Sequence, residues 1–138
     1  MATESALAKV VWLRNVEEER ARRMVARALD AVREHHASVH ELTAQAAHRP
    51  ALEDASLAQL ADVASLHLRH RIQAANARLN EAEEKLRAAQ HGHLHAVTRL
   101  RAVEHVYSLE EEREQRELAR REQRQMDEAA LMLRARRG

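Results

Sequence analysis

Ten histidines are the side chains in this 138-residue sequence with the most evident chemistry, because imidazoles bind metal ions and carry protons. His36 and His40 stand four residues apart, as do His91 and His95, so each pair could share one face of a helix. A tight metal site needs three or four converging ligands. The sequence has no cysteine and no HExxH pattern to supply them. The spacing therefore favours solvated histidines, and we expect no metal and no other cofactor.

The rest of the composition argues against an enzyme. The two glycines form no phosphate-binding loop, and no nucleophile stands beside a general base in a known motif. Only 1% of the residues are aromatic, which leaves few bulky side chains for a globular core or an enclosed active site. We predict that the protein is not an enzyme.

The charge balance argues against nucleic acid as a partner. The sequence holds 23 Lys and Arg residues against 22 Asp and Glu residues, and the signs are balanced along its length. Binding to DNA or RNA usually needs a basic face that neutralises several phosphates. The longest apolar run, Ala129 to Leu133, falls far short of the ~18 residues of a membrane span. The first residues lack the layout of a signal peptide, so we expect a cytoplasmic protein.

The element that must position most of these side chains is a long helix from Leu68 to Tyr107. Its apolar positions recur at spacings of four and three, which keeps one stripe turned toward a partner helix, as in a coiled coil. One row of the stripe, the large row, holds Ile72, Leu79, Leu86, His93, Leu100 and Tyr107. The other, the alanine row, holds Leu68, Ala75, Ala82, Ala89, Ala96 and Val103.

A first helix shows a similar but interrupted stripe. Its apolar positions begin at Leu7, stop at a charged block over residues 17–23, and resume at Val25. The resumed stripe is read as Val25, Leu29, Val32, His36, Val39, Thr43 and Ala46. Glu18–Arg22 and Glu19–Arg23 are favourable pairs four residues apart, so the helix should continue through the block.

The single proline sets the boundary between the two helices. Pro50 lacks an amide donor and disfavours helical geometry in the residue before it. We predict helix 1 over about 5–48, a turn over about 48–55, and helix 2 over about 55–135, leaving open a break near 66–70. The fold class is all-α, a long antiparallel two-helix coiled-coil hairpin, with a short helical tip left open.

The stripe of helix 2 breaks over a second charged block, residues 110–117, and returns at Leu118. Two registers of the hairpin stay open at this point. If the chain termini lie together, the numbers of facing residues sum to about 134 and the two charged blocks meet. Pairs in this register are Arg22 with Glu112, Arg23 with Glu111 and Glu18 with Arg116.

A tight turn at 48–55 gives the other register, in which facing numbers sum to about 103. Its pairs are Arg20 with Glu83, Arg22 with Glu81 and Glu18 with Lys85. This second register leaves the charged C-terminal third as an unpartnered helix, whereas the first needs residues 50–84 to form a separate tip.

Two stretches carry a resemblance to a known family. They are Ala6-Leu7-Ala8 with Val10 and Leu13, and Glu122-Gln123-Arg124-Gln125-Met126-Asp127-Glu128-Ala129. With the long Ala/Glu/Arg helix between them, they resemble the FliJ family over nearly the whole chain. That family is the small stalk of the flagellar type III export apparatus, and virulence-type secretion systems have a similar stalk.

The resemblance implies a stalk for protein export in flagellum biogenesis and motility. The two ends of the hairpin would enter the central pore of the export ATPase hexamer and promote its assembly and activity. The other end would contact the export gate protein, which ties the stalk peripherally to the membrane, and would exchange with export chaperones. Leu42 and Leu68 match the gate-binding patch by position, although the aromatic residues of that patch are absent here.

Other functions stay open beside this one. The charged blocks, with Arg22, Arg23, Glu111 and Glu112, are candidate docking surfaces for the ATPase pore or solvated helix faces. The chain could instead be a self-associating structural coiled coil, or a helical export chaperone or adaptor. If His36 and His93 lie on the stripes, their protonation should lower stability below about pH 6.

Overall fold

The computed structural model describes residues 2–48 and 55–138, and it describes side chains from residue 6 onward. It contains two helices, α1 (Ala2–Ala47) and α2 (Ala55–Arg137), and among the described residues only His48 and Gly138 lie outside them. The two long helices pack against each other, which confirms the all-α helical hairpin. The predicted turn falls mostly outside the described residues, as does Pro50.

The composition explains why both helices are long. Ala, Arg, Glu and Leu dominate, and these are among the residues with the highest helix propensities. The hydroxyls of Ser38 and Thr43 donate hydrogen bonds to backbone carbonyls one turn earlier, at 3.1 Å from Glu34 and 2.7 Å from Val39. α2 runs unbroken through residues 66–70, where the sequence left a break open. No proline or glycine interrupts the helix there.

The chain divides into two compact units. The larger unit, Glu17–Ala96, pairs the later part of α1 with the first half of α2. Its α2 residues with reduced exposure are Ala61, Ser65, Leu68, Ile72, Ala75, Leu79, Ala82, Glu83, Leu86, Ala89, His93 and Ala96. Ala75 and Ala82 are only 5% exposed. The predicted stripe of α2 is therefore confirmed within this unit, and the alanine row holds its most buried apolar residues.

The stripe of α1 differs from the prediction. In the larger unit its positions with reduced exposure include Glu18, Ala21, Val25, Ala28, Val32, His35, Val39, Leu42 and Ala46, at unbroken spacings of three and four. His36 and Thr43, which were assigned to the stripe, are exposed. The charged block does not interrupt the stripe, because Glu18 and Ala21 occupy stripe positions inside it.

The second unit comprises Met1–Val16 and Val97–Gly138. Its half-buried residues are Leu7, Val11, Arg14 and Val16 on α1, and Val97, Leu100, Val103, Tyr107 and Glu110 on α2. Every residue from 111 to 138 is exposed. The apolar residues at and after Leu118 therefore do not resume the stripe, contrary to the prediction.

Candidate partner-binding surfaces

Glu18 is the centre of a polar cluster between the helices of the larger unit. Its side chain occupies a stripe position and the residue is only 6% exposed. The carboxylate oxygen Oε1 accepts hydrogen bonds from Arg22, at 2.7 Å from Nη2 and 3.2 Å from Nε. The same oxygen lies 3.0 Å from Nε2 of His93 on α2. Two helices thus converge on one buried carboxylate.

These contacts keep Glu18 charged. The hydrogen bond to His93, followed by the one to Arg22, lowers the pKa of the Glu18 carboxyl below its usual value. The desolvation of Glu18 opposes this shift but is the smaller effect. A buried charge of this kind is stable only where its hydrogen bonds are made, so the cluster ties Glu18 to His93.

The cluster also fixes the register of the larger unit. The numbers of Glu18 and His93 sum to 111, so neither of the registers weighed from the sequence, with sums of about 134 and 103, is correct there. Lys85, a predicted partner of Glu18, lies 3.3 Å from Glu81 of its own helix instead. The consequence of the second register is nevertheless observed, because residues 111–137 have no helix packed on them.

Three of the four charged candidates for docking, Arg22, Arg23 and Glu112, form ion pairs within their own helices. Arg22 pairs with Glu18, and Arg23 lies 3.8 Å from Glu19 with 71% of its side chain exposed. Glu112 lies 3.8 Å from Arg116. Among the described residues, Glu111 makes no ion pair and is exposed. The structure does not place a second helix over Arg23, Glu111 or Glu112, and their partner role remains a prediction.

Leu42 and Leu68, the candidates for gate binding, are both half-buried stripe residues. Their numbers sum to 110, close to the sum of 111 for Glu18 and His93. Leu42 and Leu68 therefore lie at nearly the same height on the two facing helices. Leu42 also lines a cleft with Ala75 and Arg78 of α2. Their first role is therefore to pack the two helices, and only their half-exposed surface remains available to a partner.

The histidine pairs form no larger ligand set. Nε2 of His91 and Nε2 of His95 are 3.1 Å apart on the exposed face of α2. His36 and His40 are both exposed on α1. Within residues 2–48 and 55–138, no three His, Cys, Asp or Glu side chains are grouped to hold a metal ion.

The same geometry changes the expected role of histidine protonation. His36 is exposed, and His35 occupies the neighbouring stripe position. The loss of stability expected below about pH 6 loses its premise at His36, which lies off the stripe, and it stays a prediction at His93. Acid sensitivity is also expected at Glu18, whose pKa is lowered in the folded protein.

Two groups of exposed apolar side chains are available to partners. One lies on the first turns of α2 and comprises Leu57, Leu60, Val63 and Leu66, which we call the α2-start patch. The other lies on residues 111–137, which we call the arm, and comprises Leu118, Met126, Leu131, Met132 and Leu133. The arm is a single helix of about 40 Å at 1.5 Å per residue.

Sequence reasoning missed Arg14 and Glu18 because it ended the apolar stripe at the charged block. It missed His35 because it placed the neighbouring His36 on the stripe. A signal was present. Counting four and three residues from Leu7 leads through Val11, Arg14 and Glu18 to Ala21 without a break. The position in the repeat, rather than the hydrophobicity of each side chain, identifies the polar members of the interface.

These features define an all-α coiled-coil protein whose available surfaces are suited to binding other proteins. The chain matches the family model described as Flagellar FliJ protein over residues 3–138, and it belongs to that family. The family implies a role in flagellar protein export and consists of structural and export proteins rather than enzymes. No curated protein and no solved structure matches the chain at a significant level. Neither described helix is apolar enough over a sufficient length to cross a membrane.

Proposed function

We propose that this protein is a non-enzymatic stalk of the flagellar export apparatus. Its arm and the α1 residues of the same unit would enter the central pore of the export ATPase hexamer and promote ring assembly and hydrolysis. The observation that carries the proposal is the arm itself, a helix with every residue exposed in a chain of the FliJ family.

The charges of the arm suit it to remain helical without a packed neighbour. Arg113 lies 3.9 Å from Glu110 and 4.0 Å from Glu117, and Gln123 donates to Asp127 at 3.2 Å. Such pairs each support an isolated helix by about 0.2–0.5 kcal/mol. Residues 111–137 hold eight basic and seven acidic residues, so the arm lacks the basic surplus that would favour nucleic acid.

The apolar side chains of the arm provide the binding energy in this proposal. Leu118, Met126 and Leu133 are each more than half exposed. Burial of such a side chain in a partner contributes about 1.5–3 kcal/mol. A ring pore lined with apolar and charged residues would cover this face of the arm and leave the charge pairs in place.

The α2-start patch is the corresponding candidate for the export gate. Leu60 and Val63 are each 66% exposed there, and the half-exposed Leu42 and Leu68 follow along the helices. We propose that the gate protein binds this apolar surface and that export chaperones compete for it.

The first experiment measures hydrolysis by the cognate export ATPase with and without the full chain, together with ring formation by electron microscopy. Wild-type protein should stimulate turnover and increase the number of hexameric rings. The variant L118Q/M126Q/L133Q should lose most of the stimulation, since glutamine keeps the helix propensity and removes the apolar surface.

The matched control carries the same change in the other patch. The variant L57Q/L60Q/V63Q should stimulate the ATPase as the wild type does and should bind the export gate more weakly. R23E and E111R then test whether the charged blocks contribute. Absence of stimulation by the wild type at micromolar concentration would contradict the proposal, and a dimeric mass in solution would then favour the self-associating coiled coil.

A helical chaperone or adaptor is the second candidate, because the α2-start patch exposes four large apolar side chains on a short stretch. This candidate predicts that the chain binds export substrates in the absence of the ATPase. Equal binding of substrates by the wild type and by L57Q/L60Q/V63Q would exclude the patch as the substrate-binding surface.

A further inference from the structure

We propose that the pair Glu18 and His93 sets the axial register of the hairpin and selects against slipped pairings of the same two helices. This inference concerns the larger unit alone and does not depend on the proposed role in export.

The need for such a device follows from the repeat. The large row of α2 places a leucine at positions 79, 86 and 100, seven residues apart on either side of His93. The alanine row repeats Ala75, Ala82 and Ala89 at the same interval. Sliding one helix by seven residues would therefore bring nearly identical side chains into contact. Apolar packing alone distinguishes such registers poorly.

Glu18 removes this ambiguity. In the observed register its carboxylate meets Nε2 of His93 at 3.0 Å. A slip of seven residues in either direction would place Leu86 or Leu100 at the level now held by His93. The Glu18 side chain is only 8% exposed, and against leucine its carboxylate would lose its partner on α2. A buried charge that loses a hydrogen-bond partner is strongly unfavourable.

Arg22 restricts Glu18 further without fixing the register by itself. Its guanidinium bonds Glu18 from the same helix, at 2.7 Å and 3.2 Å, and would do so in any register. The choice between registers thus depends on the residue that α2 presents, which is His93. Use of a buried polar residue to define register is the best-attested role for such groups in coiled coils.

The same pair disfavours parallel self-pairing in register. Two copies of α1 aligned in this way would bring two Glu18 carboxylates together at the interface, where like charges repel. Two copies of α2 would bring His93 against His93 and would leave Glu18 without its partner on α2. The intrachain hairpin satisfies both side chains at once.

The test reports the register by disulfide formation. Ala28 and Ala82 line one cleft between the helices, and the natural sequence has no cysteine to interfere. The pair A28C/A82C reports the observed register, whereas A28C/A75C and A28C/A89C report slips of seven residues in the two directions. In an otherwise wild-type chain, brief oxidation should close A28C/A82C as the dominant bridge.

The decisive variant is E18L/H93L. Its large row on α2 carries leucine at positions 79, 86, 93 and 100. Replacement of a buried ionic pair by apolar residues is often neutral or stabilising, so this variant should keep its helicity by circular dichroism. We expect A28C/A75C or A28C/A89C to close in that background with a yield comparable to A28C/A82C. The matched control E19L/H105L changes the same residue types at exposed positions and should close A28C/A82C only.

Two results would overturn the proposal. One is an E18L/H93L chain that is helical and still closes A28C/A82C alone, since the register would then be set elsewhere. The other is slipped bridges in the E19L/H105L control, since the effect would not belong to this pair. The single variant H93L supplies an independent reading, because it should both lose the register preference and become less stable than E18L/H93L.

Discussion

The packed half of α2, Leu68–Tyr107, and the arm have opposite surroundings, and the arm is the more highly charged of the two. From Leu68 to Tyr107 every stripe position is buried or half-buried, whereas residues 111–137 are exposed throughout. The arm does not lack apolar residues, since Leu118, Met126 and Leu133 lie on it. The positions that continue the stripe there, however, are Glu114, Glu117, Arg121 and Arg124. The arm therefore lacks apolar residues at the repeat positions through which the other half packs.

The strongest test of this difference introduces a carboxylate into each half of α2. Ala82 is 5% exposed, so A82E should lower the free energy of unfolding by about 3 kcal/mol, because a carboxylate would be buried without a partner. The same change in the arm, A119E, should stay within about 0.5 kcal/mol. Urea denaturation followed by circular dichroism measures both, and equal losses would show that the arm is packed in solution.

A milder version removes one leucine from each half. L86A should lower the free energy of unfolding by about 1–2 kcal/mol, less than a fully buried leucine, since Leu86 is half-buried. L118A should change it by less than about 0.5 kcal/mol. An L118A loss as large as that of L86A would contradict an exposed arm.

Low pH should destabilise the packed half of α2 through Glu18, which contacts His93 from α1. Because its pKa is lowered in the folded state, Glu18 contributes stability that is present above the ordinary glutamate pKa of about 4.3 and is lost as the pH falls through the lower folded value. At neutral pH, E18Q should melt below the wild type, by less than L86A does, and the two melting temperatures should converge as the pH falls through the folded pKa of Glu18. E114Q changes an exposed position of the arm and should melt with the wild type at neutral pH.

Substitution of Gly92 should raise the stability of the packed half of α2. A Cβ added at Gly92 would meet no atom within 4 Å, so G92A should stabilise α2 by about 0.5–1 kcal/mol through its helix propensity. The change G138A, beyond the end of α2, should have no measurable effect. A destabilised G92A would indicate that this face of α2 is covered in solution.

The smallest effect is expected in the charge pairs of the arm. Arg116 lies 3.8 Å from Glu112 with both side chains largely exposed, so R116A should cost the arm about 0.3 kcal/mol of helix stability. The difference should fall when salt is added, because salt screens exposed pairs. Helicity at 222 nm in low and high salt measures it.

The features that could be predicted from the sequence are those that repeat. The stripe of α2 and the family were recognisable, since both extend over many residues. The sequence analysis placed His36 and Thr43 on the stripe of α1, each one residue after the correct position. With the polar Glu18 in the stripe, the apolar pattern fits both assignments almost equally well. Burial resolves them in favour of His35 and Leu42.

The register of the two helices could not be predicted from the sequence for a related reason. A heptad pattern is nearly unchanged by a shift of seven residues, so hydrophobicity cannot rank such registers. Charge matching gave two answers, and they paired Glu18 with Arg116 or with Lys85. The structure places Glu18 inside the stripe, against His93 of the large row of α2.

Trp12 gives this molecule an optical property of its own. It is the only tryptophan in the chain, it lies in the unit that carries the arm, and it is 67% exposed. Indole emission shifts to shorter wavelength when water leaves the ring. Unlabelled protein therefore carries an intrinsic fluorophore that would report, in real time, whether that unit becomes enclosed by a partner.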